Sequence, residues 1–533
     1  MNGKLAFAPL LLALVSAFAV ADVPSEDATK ARLDRQFDQA MQRYQLPGLA
    51  LGVVRDGKVI YLRTGGERRI GSGEAIGPDT LFKIASNGKA MTAAALARLV
   101  DAGKLDWNDP VKRHLPAFRM NDPWVEAQFT ARDMLIHNSG LPLGAGDLML
   151  WPEPNDFSRE HIIASLAHLK PSTSFRSAYA YDNLMYLVAG EVGAAIAGVP
   201  YETLVKREVF EPLGLSRCVV GAFERDAVGD IAAPHLRTDK GFAVASADPP
   251  QVAPITSAAA GGIRCSVRDM TTWIANWLDP QRTPNWLSAD QRRAAFTGWM
   301  PMPIGARQAA WDASHFNAYG HGWRISDTHG QFRVAHTGTL EGMLSAVTML
   351  PDRNLGYVLL LNSNADDARI ALNQAVLMQF IAPDGQGHDF NDYADRLDAE
   401  HAASGAEEAR QAAAKRDPLP LSKVAKAVPG VYVDPWFGEI SLCPKEGNLR
   451  WRSHRSPVLD GLVKQVEGRW LIEWDERSLY ADAWLDVSAD GKPINDGNKT
   501  TGSPTMAISV VDPDTDFSYD FHDLSPVRTR DCD

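Results

Sequence analysis

Four cysteines stand in 533 residues, and no Cys-x-x-Cys spacing occurs among them. That removes the zinc-ribbon and dithiol redox chemistries that depend on such pairs. There is no His-Glu-x-x-His either, and no Gly-x-Ser-x-Gly elbow, so a zincin and an α/β-hydrolase are both disfavoured. Basic clusters are missing as well. With 54 Lys and Arg against 66 Asp and Glu, a formal net charge of −12, the chain offers no concentrated cationic face for nucleic acid. The N-terminal apolar run, Leu5 to Val20, is too short and too closely followed by Asp22 and Glu26 to make a membrane span. Lys4 precedes it and Ala19-Val20-Ala21 ends it, the pattern of a cleavable secretory signal over 1–21. No cysteine follows the run, so no lipid anchor is expected. The reading is a periplasmic or secreted protein beginning near Asp22, with no stable membrane insertion after cleavage.

What remains is ordinary globular material, 45% hydrophobic and 23% charged, and too long for one core. Cys218, Cys265, Cys443 and Cys532 would sit where disulfides persist. Three pairings are open. Cys443 with Cys532 and Cys218 with Cys265 would keep each bond inside one domain, and free buried thiols are the alternative.

Phe82 to Lys89 leads into an apolar helical run that stops at Gly103. Ser86 and Lys89 are three apart, so on a helix the amine lies beside the hydroxyl. A serine hydroxyl is a weak nucleophile until a neighbouring base takes its proton, and a helix start adds favourable backbone dipoles. Leu49 to Val54 and Val59 to Arg63 read as a hairpin turned at Asp56-Gly57. Gly71, Gly73 and Gly77 are turn residues, since no βαβ unit surrounds them. His137 and Ser139, before Gly140-Leu141-Pro142, read as polar groups that satisfy a helix end. Tyr181 and Asn183 precede a helix from Leu184 to Ala197, and a second helix runs from Val267 to Leu278. A tyrosine accepts protons only when cations lower its pKa, and Lys89 is the candidate cation. A run of antiparallel strands follows, the first carrying His336-Thr337-Gly338-Thr339. Residues 386–424 read as a linker with a helix inside it, and 425–533 as short strands at the spacing of a small lipocalin-like β domain.

Ser86-x-x-Lys89, Tyr181-x-Asn183 and His336-Thr337-Gly338, in that order, resemble the active-site set of the β-lactamase-related serine hydrolases: class C β-lactamases, DD-peptidases of the penicillin-binding type, esterases and D-aminopeptidases. The resemblance covers roughly Asp27 to Gln379. It implies an α/β fold with an antiparallel sheet, flanking helices and an all-helical subdomain over 22–385, followed by the C-terminal all-β domain. Ser86, Lys89, Tyr181 and His336 are then the catalytic set, and Asn183, Thr337, Gly338 and Thr339 bind substrate. Lys89 would hold the Tyr181 phenol towards phenolate, and the backbone N–H groups of Ser86 and Thr339 would form the oxyanion hole. His336 stands where many relatives carry lysine. A largely neutral histidine anchors a substrate carboxylate weakly, so esters, amides and D-amino acid derivatives are favoured over β-lactams and free peptide C-termini. No metal or organic cofactor is implied. The expected partner is a small-molecule or peptide substrate, cell-wall material included. The competing reading is a non-catalytic penicillin-binding or cell-wall sensor that keeps the acylation pocket.

Overall fold

The computed structural model describes residues 26–382, 389–479, 481–488, 503–512, 515–519 and 521–532. The expected signal segment lies outside the described residues. An eight-stranded antiparallel sheet forms the first domain: β1 (Gly48–Arg55), β2 (Lys58–Gly66), β3 (Met300–Pro301), β4 (Asn317–Tyr319), β5 (Arg324–Thr328), β6 (Gln331–Leu340), β7 (Met343–Leu350) and β8 (Leu355–Leu361). Their spatial order is β2-β1-β8-β7-β6-β5-β4-β3. The chain's early hairpin therefore pairs with its late strands, Leu49 opposite Leu361. Asp56 and Gly57 both take positive φ, 50° and 72°, as the tight hairpin turn requires.

The central strands β7 and β8 are buried throughout, because helices cover both faces. On one face lie α1 (Glu26–Tyr44), α5 (Asp366–Ile381) and α6 (Phe390–Ala413). On the other lies α4 (Val267–Leu278), together with the helical region between β2 and β3 that holds α2 (Gly88–Asp101) and α3 (Leu184–Ala197). The start of the expected linker is corrected here. Phe390, Tyr393, Ala394 and Leu397 are buried in the core shared with α1 and α5, so the first domain extends past residue 385. Apolar residues at i, i+3, i+4 and i+7 give α6 a stripe that it buries like any core helix.

Beyond Gly430 eight strands close into a barrel: β9 (Gly430–Asp434), β10 (Gly438–Lys445), β11 (Asn448–Ser453), β12 (Asp460–Val466), β13 (Arg469–Trp474), β14 (Ala483–Ser488), β15 (Thr505–Val510) and β16 (Val527–Arg530). Pairing of β12 with β13 and of β16 with β9 completes the ring and removes free edges. Trp436, Trp451, Trp474 and Phe521 are buried in it. The barrel is docked on the first domain. Arg455 Nε donates to Asp156 at 2.6 Å, His161 Nε2 lies 2.9 Å from the Trp436 carbonyl, and Phe157 packs on Phe437. Disulfides join Cys218 to Cys265 and Cys443 to Cys532, one in each domain.

Candidate active site

Ser86 sits in one 3₁₀ turn, Ala85–Asn87, that runs directly into α2. Strand β6 passes against that turn, which is possible because residue 338 is glycine. A Cβ there would stand 2.4 Å from the Ile84 carbonyl oxygen and 2.9 Å from Ala85 Cβ. Ser345 on β7 pins the same turn, donating to the Ile84 carbonyl and accepting from Asn87 Nδ2, both at 2.7 Å. The hydroxyl is thus held between a helix start and a sheet edge.

Lys89, one turn on, is fully buried. Its Nζ lies 2.7 Å from Asn183 Oδ1, 2.8 Å from the Ala260 carbonyl and 3.0 Å from Ser86 Oγ. Burial brings its pKa down to about 7; the field of Arg324 acts in the same direction, and Asp147 and Asp182 oppose it. A neutral amine has two N–H bonds and a lone pair. The protonated amine donates to all three groups; once the proton is lost, N–H groups directed at the Asn183 and Ala260 acceptors leave the lone pair for the Ser86 hydroxyl.

Tyr181 lies with its ring centroid 4.9 Å from Lys89 Nζ. Burial raises the phenol's pKa well above its ordinary value, against a hydrogen bond with Ser86 that lowers it. Burial thus works against the expected phenolate, because a dry site disfavours that charge. The segment carrying Tyr181 is fastened from behind. His137 Nδ1 accepts from the Asp182 N–H at 3.0 Å, Ser139 Oγ donates to Asp182 Oδ2 at 3.0 Å, and the Asn183 amide donates to Asp147 Oδ2 at 2.7 Å. Ser139 thus serves a carboxylate, and His137 serves the backbone while its ring packs directly on that of Tyr181, with centroids 4.3 Å apart.

His336 joins the cluster, its ring 6.3 Å from that of Tyr181, but both its nitrogens are engaged by the protein. Nδ1 meets the Thr337 carbonyl at 2.7 Å, and Nε2 meets the Tyr319 hydroxyl at 2.8 Å. Burial, with Arg324 and Lys89 nearby, holds its pKa well below the ordinary value. The imidazole is neutral and turned inward, a packing partner of Tyr319. Thr337 is half-buried and Thr339 exposed, and each has an arginine beside it. Arg324 lies 3.3 Å from Thr337 Oγ1, and Arg369 lies 3.2 Å from Thr339 Oγ1 and 3.1 Å from the Gly338 carbonyl. Arg369 is paired with Asp366, whereas Arg324 has no carboxylate partner among the described residues. Sequence reasoning missed Arg324. The one available signal was its position directly after Trp323 at the head of β5.

Two cavities lie near these elements, one reaching Lys83 and Leu340 and the other His336 and Thr337. One, of about 520 Å³, is lined by Lys83, Trp151, Glu153, Phe223, Arg264 and Glu341 among others. The second, of about 350 Å³, opens beyond Thr337 and is lined by Arg307, Arg324, Arg333 and Arg369 with Trp311 and Asn373. The barrel domain also reaches the site. Phe517 sets its ring edge-on to Tyr181, with centroids 5.6 Å apart, and packs so closely on Gly144 that a Cβ there would stand 2.7 Å from the Phe517 carbonyl oxygen.

An antiparallel sheet flanked by helices, with a serine–lysine pair, a tyrosine and a histidine strand meeting at one edge, defines a fold of the β-lactamase and transpeptidase type. The beta-lactamase family model matches residues 33–378, and the chain belongs to that family. Protein flp of Staphylococcus aureus (strain N315) is 24% identical over 346 residues, 63% of this chain and 64% of that protein. The unguisins hydrolase ungD' of Aspergillus campestris is 26% identical over 348 residues, 62% of each. The chain thus matches somewhat less than two thirds of the length of these relatives. An octameric penicillin-binding protein homologue from Pyrococcus abyssi shares the fold, with a TM-score of 0.55 and 18% identity over 93% of this chain and 99% of that one.

Proposed function

We propose that the protein is an exported serine hydrolase that cleaves an ester or amide through an acyl-Ser86 intermediate. The observation that carries this reading is the Lys89 amine, buried and near neutral, whose two N–H groups are spent on Asn183 and Ala260. Its lone pair takes the Ser86 proton as Oγ attacks the substrate carbonyl. The oxyanion forms against the N–H groups of Ser86 and Thr339. The leaving group departs with the Tyr181 phenolic proton, which Lys89 replaces, and water then hydrolyses the acyl ester by the reverse proton path. Two disulfides support export, since such bonds persist outside the cytoplasm.

Arg324 revises the substrate expectation drawn from His336. The cation that lysine supplies in many relatives is delivered from β5 instead, next to Thr337. Substrates with an anionic group on the leaving side, D-amino acid peptides among them, therefore rank above neutral esters. Incubation with a fluorophosphonate, followed by intact mass, tests the proposal. A single adduct absent from Ser86→Ala is expected, and equal labelling of that variant would sink it. With a true substrate the acyl adduct forms and decays, whereas a non-catalytic sensor would keep it.

A further inference from the structure

We propose that the cavity on the Glu153 side of Ser86 is the acyl-side subsite, and that it selects substrates whose acyl portion carries a protonated amine. This rests on the serine hydrolase reading above. The cavity is lined by chain neighbours of the nucleophile's surroundings. Lys83 stands three residues before Ser86, Leu340 directly follows Thr339, and Gly262 follows Gly261, whose Cβ position lies 3.8 Å from the Ser86 nitrogen. Trp151, Phe223 and Ile255 supply apolar wall.

Its charges are decisive. Lys83 is paired with Glu341, and Arg264 is paired with Asp248. Those four cancel. Glu153 is left over, with no hydrogen bond or ion pair to any described residue. It is held on a backbone constrained by Pro152 before it and Pro154 after it. The barrel domain adds acid nearby, since Tyr519 feels the charges of Asp516, Glu341 and Glu153 together. Burial and the field of Glu341 raise Glu153 to about 7, with Lys83 opposing, as expected of a carboxyl that lacks a cation. A ligand ammonium supplies the missing partner; a neutral acyl group does not, and an anionic one is repelled.

The test is protection of Ser86 from fluorophosphonate labelling by phenylalaninamide and by its N-acetyl derivative, each as both enantiomers. One charge-assisted contact is worth about tenfold in the half-protecting concentration, so the free amine of at least one enantiomer is expected to protect about tenfold better. That ratio falls to near one in Glu153→Gln and reverses in Glu153→Lys. Equal protection by both compounds, no protection by either, or a preference that survives Glu153→Gln would overturn the proposal. Failure of the wild type to be labelled at all would instead strike the serine hydrolase reading beneath it.

Discussion

The two cavities beside Ser86 carry opposite leftover charges. On the Glu153 side, two ion pairs cancel and a carboxyl remains; beyond Thr337, arginines gather and the Arg324 guanidinium remains without a carboxylate. Between them burial pushes the reacting groups towards their neutral forms, with Lys89 down to about 7, the Tyr181 phenol raised and the His336 imidazole lowered. The difference teaches that this site keeps its chemistry dry and its recognition charged. Formal charge stands where solvent or a ligand can reach it, and is absent where burial would make it costly.

The broadest way to break this picture is to remove the shared centre. Ser86→Ala or Lys89→Ala is expected to lower kcat roughly 10³- to 10⁶-fold on every substrate, read by progress curves and acyl-enzyme mass. Next, Arg324→Ala should cost about 10- to 100-fold in kcat/KM on substrates with an anionic leaving side and much less on neutral ones. An equal loss on both would mean that Arg324 only supports the fold.

A pH profile sharpens the neutral centre. The active base is the unprotonated amine, so kcat/KM rises with pH through about 7 and levels above it. His336→Gln should leave that inflection in place, because His336 is already neutral across the range; an inflection that moved with this substitution would return the titration to the imidazole. The smallest effect is expected at Phe517→Ala, a few-fold change in KM that favours bulkier substrates with little change in kcat, consistent with a wall rather than a reacting group.

Much of this site was legible in the letters. Ser86 and Lys89 announce themselves by helical spacing, and Tyr181-x-Asn183 and His336-Thr337-Gly338 by order. Leu184–Ala197 and Val267–Leu278 were readable to their ends because a glycine C-cap stops the first and a serine N-cap, Ser266, starts the second. Protonation was not legible, since spacing gives neighbours and says nothing about depth. Hence the upward shift at Tyr181 and the downward shift at His336 were not readable beforehand. Arg324, Glu153 and Phe517 belong to no motif and reach the site through tertiary packing alone. The barrel strands Asp460–Val466 and Val527–Arg530 escaped notice because charged and polar residues break their apolar alternation.

Because Phe517 rests on Tyr181, the site draws on residues from both domains. A ribosome that has completed the serine helix has made a nucleophile without its base's acceptors, its tyrosine or its strand. The Phe517 wall is added only after the barrel domain has been made. A version trimmed after the first domain would keep the reacting groups and lose a boundary of the space in which they choose what to cut.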